Sequence, residues 1–345
     1  MRPRKLAWCR DLRTVRIVRL AVAVTIAMAI SQAWPWPYSY IYVVLCVTLL
    51  STPIPSPSPG ETLQHMVYAI VVFTLITGAV SFLFKFPIAF VVAYTVMVFL
   101  SAYYLHKGAP FLLLLFTYVA LLVFPILVSV DDLLPFAAAK TLTFSALLAL
   151  LTCQLAIGLF PDPVQTEYPA KRTYEPGYAP GAARTALVTT ILVVPAMLSF
   201  LVLQLAGAAL VMVYIGMMSM GGTVAAGRKD ASHKLLANAI GGLGAFAFYV
   251  VMIAVPQFHF FVVLMLLTSL LFANRIFSDA PSAQYYGTAF TGLVILVSSS
   301  MDAGESFNAA VIQRIVFIVI AGTYVIMAMS AVERFLARRF GQADG

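Results

Sequence analysis

Residues 109–160, APFLLLLFTYVALLVFPILVSVDDLLPFAAAKTLTFSALLALLTCQLAIGLF, hold two long apolar runs whose only charges are Asp131, Asp132 and Lys140. A helix needs about 20 apolar residues to cross a roughly 30 Å hydrocarbon layer, and each run supplies nearly that or more. Backbone amides cannot stay unpaired in lipid. The runs also lack the short alternation of barrel strands, so both read as transmembrane helices with the acidic pair at the turn between them.

The same pattern extends along the chain. Apolar segments fall at about 15–33, 38–53, 62–84, 87–105, 109–128 and 134–160, then at about 183–204, 207–221, 233–255, 257–277, 283–301 and 307–332. The chain is 62% hydrophobic and 10% charged, against about 25% charged in soluble domains. The expected fold is all-α: a polytopic integral membrane protein of about 12 transmembrane helices arranged as two parallel six-helix repeats. Residues 1–160 form the first half, 161–182 a cytoplasmic linker rich in Pro, Tyr and charge, and 183–345 the second half.

With twelve spans and a cytoplasmic N-terminus, 18 of the 21 Lys and Arg residues lie on the cytoplasmic side. Such an asymmetry sets orientation, placing both termini and the linker in the cytoplasm of a bacterial inner membrane. The net charge of +8 is therefore topological, and no basic stripe suggests nucleic acid. Residues 1–33 also resemble a signal peptide ending at Ser31-Gln32-Ala33. The uncleaved reading is favoured by the long basic region and by the apolar segment that follows almost at once.

The exceptions to the charge rule are Lys85, Lys140 and Arg314. Lys140 stands eight residues after Asp132, and Arg314 nine residues after Glu305, with Asp302 close by. A cation at mid-membrane costs about 2.5 to 3.5 kcal/mol on insertion scales, so a functional reading makes Lys140 and Arg314 a two-pronged anion site. Asp131, Asp132, Asp302 and Glu305 are then candidates for coupling or gating. The alternative is that both cations snorkel towards their own acidic neighbours. The second and eighth segments are both short and precede breaker-rich stretches, residues 53–60 and 221–227, which is the pattern of a transporter's binding region; reduced tilt or local thinning of the bilayer explains it equally well.

Other motifs carry less. Gly222 to Lys229 has the glycine spacing of a phosphate loop, but Arg228 replaces the required Lys and no strand precedes it. His65, His106, His233 and His259 are far apart, and Cys9, Cys46 and Cys153 show no ligand spacing, so neither metal, cofactor nor disulfide is expected. Glycines 241, 242, 244, 287 and 292 suit close helix packing. No Asp or Glu lies deep in any segment, and no nucleophile, base and metal constellation indicates an enzyme.

The opening pattern is Arg19-Leu20 before an Ala/Val-rich helix, a Trp-Pro turn at residues 34–37, a second helix, and the Leu50-Ser51-Thr52-Pro53 break with its Pro/Ser loop. It resembles the fusaric acid resistance and aromatic acid exporter superfamily, in particular the short bacterial branch called domain of unknown function 2955. The resemblance implies an inner-membrane exporter of small organic, often aromatic, acids working with a periplasmic adaptor of the membrane-fusion class. The chain lacks the large cytoplasmic domain that bigger exporters carry between their halves. The expected function is secondary transport of an organic anion, with a passive anion channel as the rival reading and a membrane enzyme or assembly subunit as further alternatives.

Overall fold

The computed structural model describes residues 11–34, 36–52, 57–163, 174, 177–205, 209–219, 224–280, 282–302, 316, 317 and 319–332. Those residues form helices and connecting turns, with no strand among them. The helices are α1 (Leu12–Ala33), α2 (Tyr40–Ser51), α3 (Pro59–Leu83), α4 (Pro87–His106), α5 (Phe111–Val128) and α6 (Leu134–Leu159). They continue as α7 (Pro180–Val202), α8 (Ala209–Ser219), α9 (Val224–Ala254), α10 (Phe258–Ile276), α11 (Ala283–Asp302) and α12 (Val319–Val332). Seven of them are long and apolar enough to cross a membrane, so the protein is a helical, multi-span membrane protein. Large apolar side chains such as Ile88, Leu75 and Val202 lie exposed, as contact with lipid requires and water would penalise.

Local sequence explains the helix ends. Asp11 caps α1, its carboxylate accepting from the Arg13 N–H at 3.1 Å and the Thr14 hydroxyl at 2.8 Å. α3 starts with a capping box, in which the Glu61 N–H donates to the Ser58 hydroxyl and the Ser58 N–H donates to the Glu61 carboxylate, with Pro59 opening the first turn. The breaker-rich stretch before the third segment therefore ends as a helix start. α9 begins at Val224, earlier than the segment expected from residue 233, so Arg228, Lys229 and Lys234 lie on a helix. The intervening Ala, Arg and Lys residues favour helix, and one glycine, Gly227, does not outweigh them.

The chain folds into two compact units, and each draws on both halves of the sequence. Unit 1 comprises residues 1–67, 141–170 and 236–313, and unit 2 residues 68–140, 171–235 and 314–345. In unit 1, α1 packs on α2 and α10, and α11 packs on α2 and α10. In unit 2, α7 packs on α8 and α4, and α5 packs on α8 and α4. Counting six helices forward, and returning to α1 after α12, converts the first set of partners into the second.

Buried positions recur in the same register. In α4 the buried stripe is Phe90, Tyr94, Val98 and Ala102; in α10 it is Phe261, Met265, Ser269 and Ala273. The exposed stripes match too, Val92, Val96 and Leu100 against Val263, Leu267 and Leu271. α2 buries Tyr42, Val43, Cys46, Val47 and Leu50, and α8 buries Val211, Met212, Ile215, Gly216 and Ser219 with the same spacing. α1 and α7 agree from Leu20 against Thr189 to Ser31 against Phe200. The core of unit 1 is a continuous apolar cluster running through α1, α2, α6, α9, α10 and α11.

Candidate functional site

Of the charged residues singled out above, Asp131, Asp132 and Lys140 are described in full. Asp131 accepts from the Leu133 N–H at 2.7 Å, which turns the chain into α6. Lys140 lies on the first turns of α6, exposed, and among the described residues it forms no ion pair with Asp131 or Asp132. Asp302 is the last residue of α11, and its side chain lies outside the description. Glu305 and Arg314 lie outside the described residues altogether. The buried residues Ser145, Ala146, Ala149 and Cys153 of α6 match Ala321, Gly322, Val325 and Met329 of α12, a register that pairs Lys140 with Val316.

A polar group that sequence spacing does not reveal sits inside unit 2, around Gly216 and Ser219 of α8. The Ser219 hydroxyl donates to the Gly216 carbonyl at 2.8 Å, and the Thr189 hydroxyl of α7 donates to the Ser219 carbonyl at 3.1 Å. The Tyr118 hydroxyl of α5 stands 3.3 Å from the Gly216 carbonyl and 3.4 Å from the Ser219 hydroxyl. Gly216 makes this approach possible, since a Cβ there would press into the side chains of Leu122 and Tyr118. Tyr94 of α4 is fully buried, with its ring stacked on Phe90 at 5.6 Å. Its hydroxyl has no hydrogen-bond partner among the described residues.

At the end of α2 in unit 1, side-chain hydrogen bonds among the described residues stay within the helix. The hydroxyls of Ser51 and Thr52 bond back to carbonyls of α2 itself, Thr52 to Leu49 at 3.1 Å. A polar cluster lies between α2 and α6. Tyr42 and Thr152 share a 2.7 Å hydrogen bond, the Trp36 indole donates to Ser145 at 3.2 Å, and the unlinked thiols of Cys46 and Cys153 are neighbours.

Two contacts engage basic residues that the charge pattern expects on the cytoplasmic side. In unit 1, Arg19 is buried and forms an ion pair with Asp162 at 3.0 Å, also reaching the Phe160 carbonyl at 3.4 Å. In unit 2, Lys107 donates to the Tyr174 hydroxyl at 3.2 Å and lies over the Tyr174 and Tyr103 rings at 4.7 and 5.5 Å. That hydrogen bond holds the Lys107 ammonium above its usual range. The Ala179 N–H donates to the Tyr103 hydroxyl at 3.2 Å, so this end of the linker is tied to the last turn of α4. Among the described residues, no three His, Cys, Asp or Glu side chains lie together as metal ligands would.

A family model described as a protein of unknown function, DUF2955, matches residues 16–156. The similarity covers most of α1 to α6 and stops before the linker. No curated protein and no solved structure matches the chain.

Proposed function

We propose that the protein is a secondary transporter of twelve spans in two parallel six-helix repeats, exporting small organic acids across the bacterial inner membrane. The observation that carries this reading is the recurrence of buried positions and packing partners between units 1 and 2. Internal structural repeats are the usual build of secondary carriers, in which alternating access moves one repeat against the other. The charge asymmetry supports cytoplasmic termini and a cytoplasmic linker. The resemblance to aromatic acid exporters supports an organic anion as substrate and a periplasmic membrane-fusion adaptor as partner.

In this proposal Lys140 and Arg314 draw the anion towards the membrane interior, and Asp131, Asp132, Asp302 and Glu305 gate or couple the movement. The exposed position of Lys140, apart from the acidic pair before α6, supports attraction over local charge closure. A passive anion channel remains the second reading, because no Asp or Glu lies deep in a span.

Reconstituted vesicles test it. Radiolabelled benzoate should accumulate against its gradient and lose that accumulation when an uncoupler is added. Benzoate movement that only equilibrates, with or without the uncoupler, would establish the channel instead.

A further inference from the structure

The exposed face of α10 changes chemistry at its end. Val263, Leu267 and Leu271 follow one another at every fourth position and are 54 to 64% exposed, and the next position in the series is Arg275, exposed in the last turn. An apolar stripe open to lipid thus leads to a cation. At 1.5 Å per residue the 19 residues of α10 span about 28 Å, close to the roughly 30 Å hydrocarbon layer, so Arg275 stands at the level of the lipid headgroups. The start of α1 lies beside it. There Arg13 donates through Nη2 to the Asn274 side-chain oxygen at 3.1 Å and to the Asn274 carbonyl at 3.3 Å.

Neither cation is neutralised. Asn274 is uncharged, so it orients the Arg13 guanidinium and leaves its charge intact, with Nε and Nη1 making no hydrogen bond among the described residues. Arg275 makes no side-chain hydrogen bond or ion pair among them either. The acidic groups nearest in sequence do not compensate: Asp11 accepts from the Arg13 N–H and the Thr14 hydroxyl, Asp279 is exposed, and neither forms an ion pair among the described residues. Arg19, six residues further along α1 and buried, has Asp162 instead. In the register of the buried stripes Arg275 matches Tyr104 and Arg13 matches Ala182, so unit 2 packs the same helix ends without these two cations. Orientation in the membrane calls for positive charge on one side, but not for this arrangement of it.

We propose that unit 1 binds an anionic phospholipid here, its phosphate held by Arg13 and Arg275 and one acyl chain lying along Leu271, Leu267 and Val263. A guanidinium presents paired N–H groups that match phosphate oxygens, and basic sites between transmembrane helices recruit anionic headgroups. A zwitterionic headgroup would bring an ammonium to the same cations and lose most of the attraction. Inorganic phosphate has no chain to cover the stripe. The inference does not rest on the transport reading, and it holds whatever the protein carries.

The test uses the full chain in dodecyl maltoside, stripped of lipid and titrated with phosphatidylglycerol under native mass spectrometry. Phosphatidylglycerol should bind, and phosphatidylcholine should bind more weakly. Arg13→Ala combined with Arg275→Ala should weaken phosphatidylglycerol binding about 30-fold, the worth of two cations at a membrane surface. Arg275→Tyr, which copies the unit 2 residue, should weaken it about fivefold and gives the reading should the double variant misfold. Lys107→Gln combined with Arg184→Gln removes the same charge from unit 2 and should change nothing. Inorganic phosphate in excess should not displace the lipid. Equal weakening by the unit 1 and unit 2 pairs would reduce the effect to diffuse charge and overturn the site. Displacement by inorganic phosphate would overturn the lipid as its occupant, and phosphatidylglycerol binding as tight as wild type in the Arg13 and Arg275 variants would remove the site altogether.

Discussion

Unit 1 and unit 2 bury the same helical positions and place their polar atoms differently. Tyr42, Cys46, Ser145 and Cys153 of unit 1 match Val211, Ile215, Ala321 and Met329 of unit 2, just as Tyr94, Tyr118, Thr189 and Ser219 match apolar residues in the other direction. Burial is dictated by architecture, because a face turned to a neighbouring helix must exclude lipid whatever its side chains are. Polar identity is not so dictated. Where one unit keeps a hydroxyl that its counterpart replaces with a methyl or a ring, the counterpart acts as a control showing that helix packing does not demand it.

The largest difference to break is the Arg19–Asp162 ion pair, since Arg19 matches Val188 in unit 2. Asp162→Ala leaves a buried guanidinium without its carboxylate and should cost about 3 kcal/mol in thermal unfolding of the detergent-solubilised protein. Adding Arg19→Val, the residue unit 2 uses, should recover most of that loss. A double variant no more stable than Asp162→Ala would mean that unit 1 cannot accept the arrangement of unit 2.

Helix spacing comes next. Gly241 of α9 faces the Ala289 carbonyl of α11 so closely that a Cβ would press into the backbone, and Ile76 of α3 occupies the matching buried position in unit 2. Gly241→Ala should destabilise the protein by about 2 kcal/mol through overpacking. An unchanged melting temperature would show that α9 and α11 can separate freely.

The two buried tyrosines differ by less. Tyr42→Phe loses the 2.7 Å bond to Thr152 and should cost about 1 kcal/mol, while Tyr94→Phe should cost nothing. Equal losses in the two variants, measured by the same unfolding assay, would erase the distinction between a satisfied and an unsatisfied hydroxyl.

The smallest effect is at the helix starts. α1 has the Asp11 cap, whereas α7 begins at Ala179 without a side-chain cap. The Thr14 hydroxyl, then the Arg13 N–H, hold the Asp11 carboxyl below its ordinary value of 3.8. The cap therefore stabilises the fold fully above that pH and is lost as pH falls through the lowered value. Asp11→Ala should lower stability by about 0.5 to 1 kcal/mol at neutral pH, and the gap between variant and wild type should close below pH 3.8.

Much of this organisation was legible in the residues. Continuous apolar runs gave the helices, because lipid leaves the backbone no other choice. The ends of α4, α5 and α6 fall within two residues of where the runs begin and stop. The start of α9 was less legible, since charged helix formers look like loop when membrane spans are sought by hydropathy. The Arg19–Asp162 pair was hidden by sequence distance, each partner reading as ordinary topology or linker. Tyr94 and Tyr118 sit in apolar runs where tyrosine is unremarked. The signal that would have found them is a comparison of the halves on their buried stripes, which exposes the mismatch with Met265 and Phe290. The same comparison shows why counting from acidic turns pairs Lys140 with Arg314, whereas the burial register pairs it with Val316.

The interleaving of the halves also governs how the chain is made. α1 leaves the ribosome some 225 residues before α10 begins, roughly 10 to 50 s at 5 to 20 residues per second. Throughout that interval unit 1 lacks the helices that cover α1 and α2, and unit 2 waits in the same way for α7 and α8 to cover α4 and α5. Synthesis halted at the linker would yield two unfinished bodies, with no completed half to survive proteolysis. Two halves translated as separate chains, by contrast, would each carry what the other needs, and their assembly would be the folding step itself.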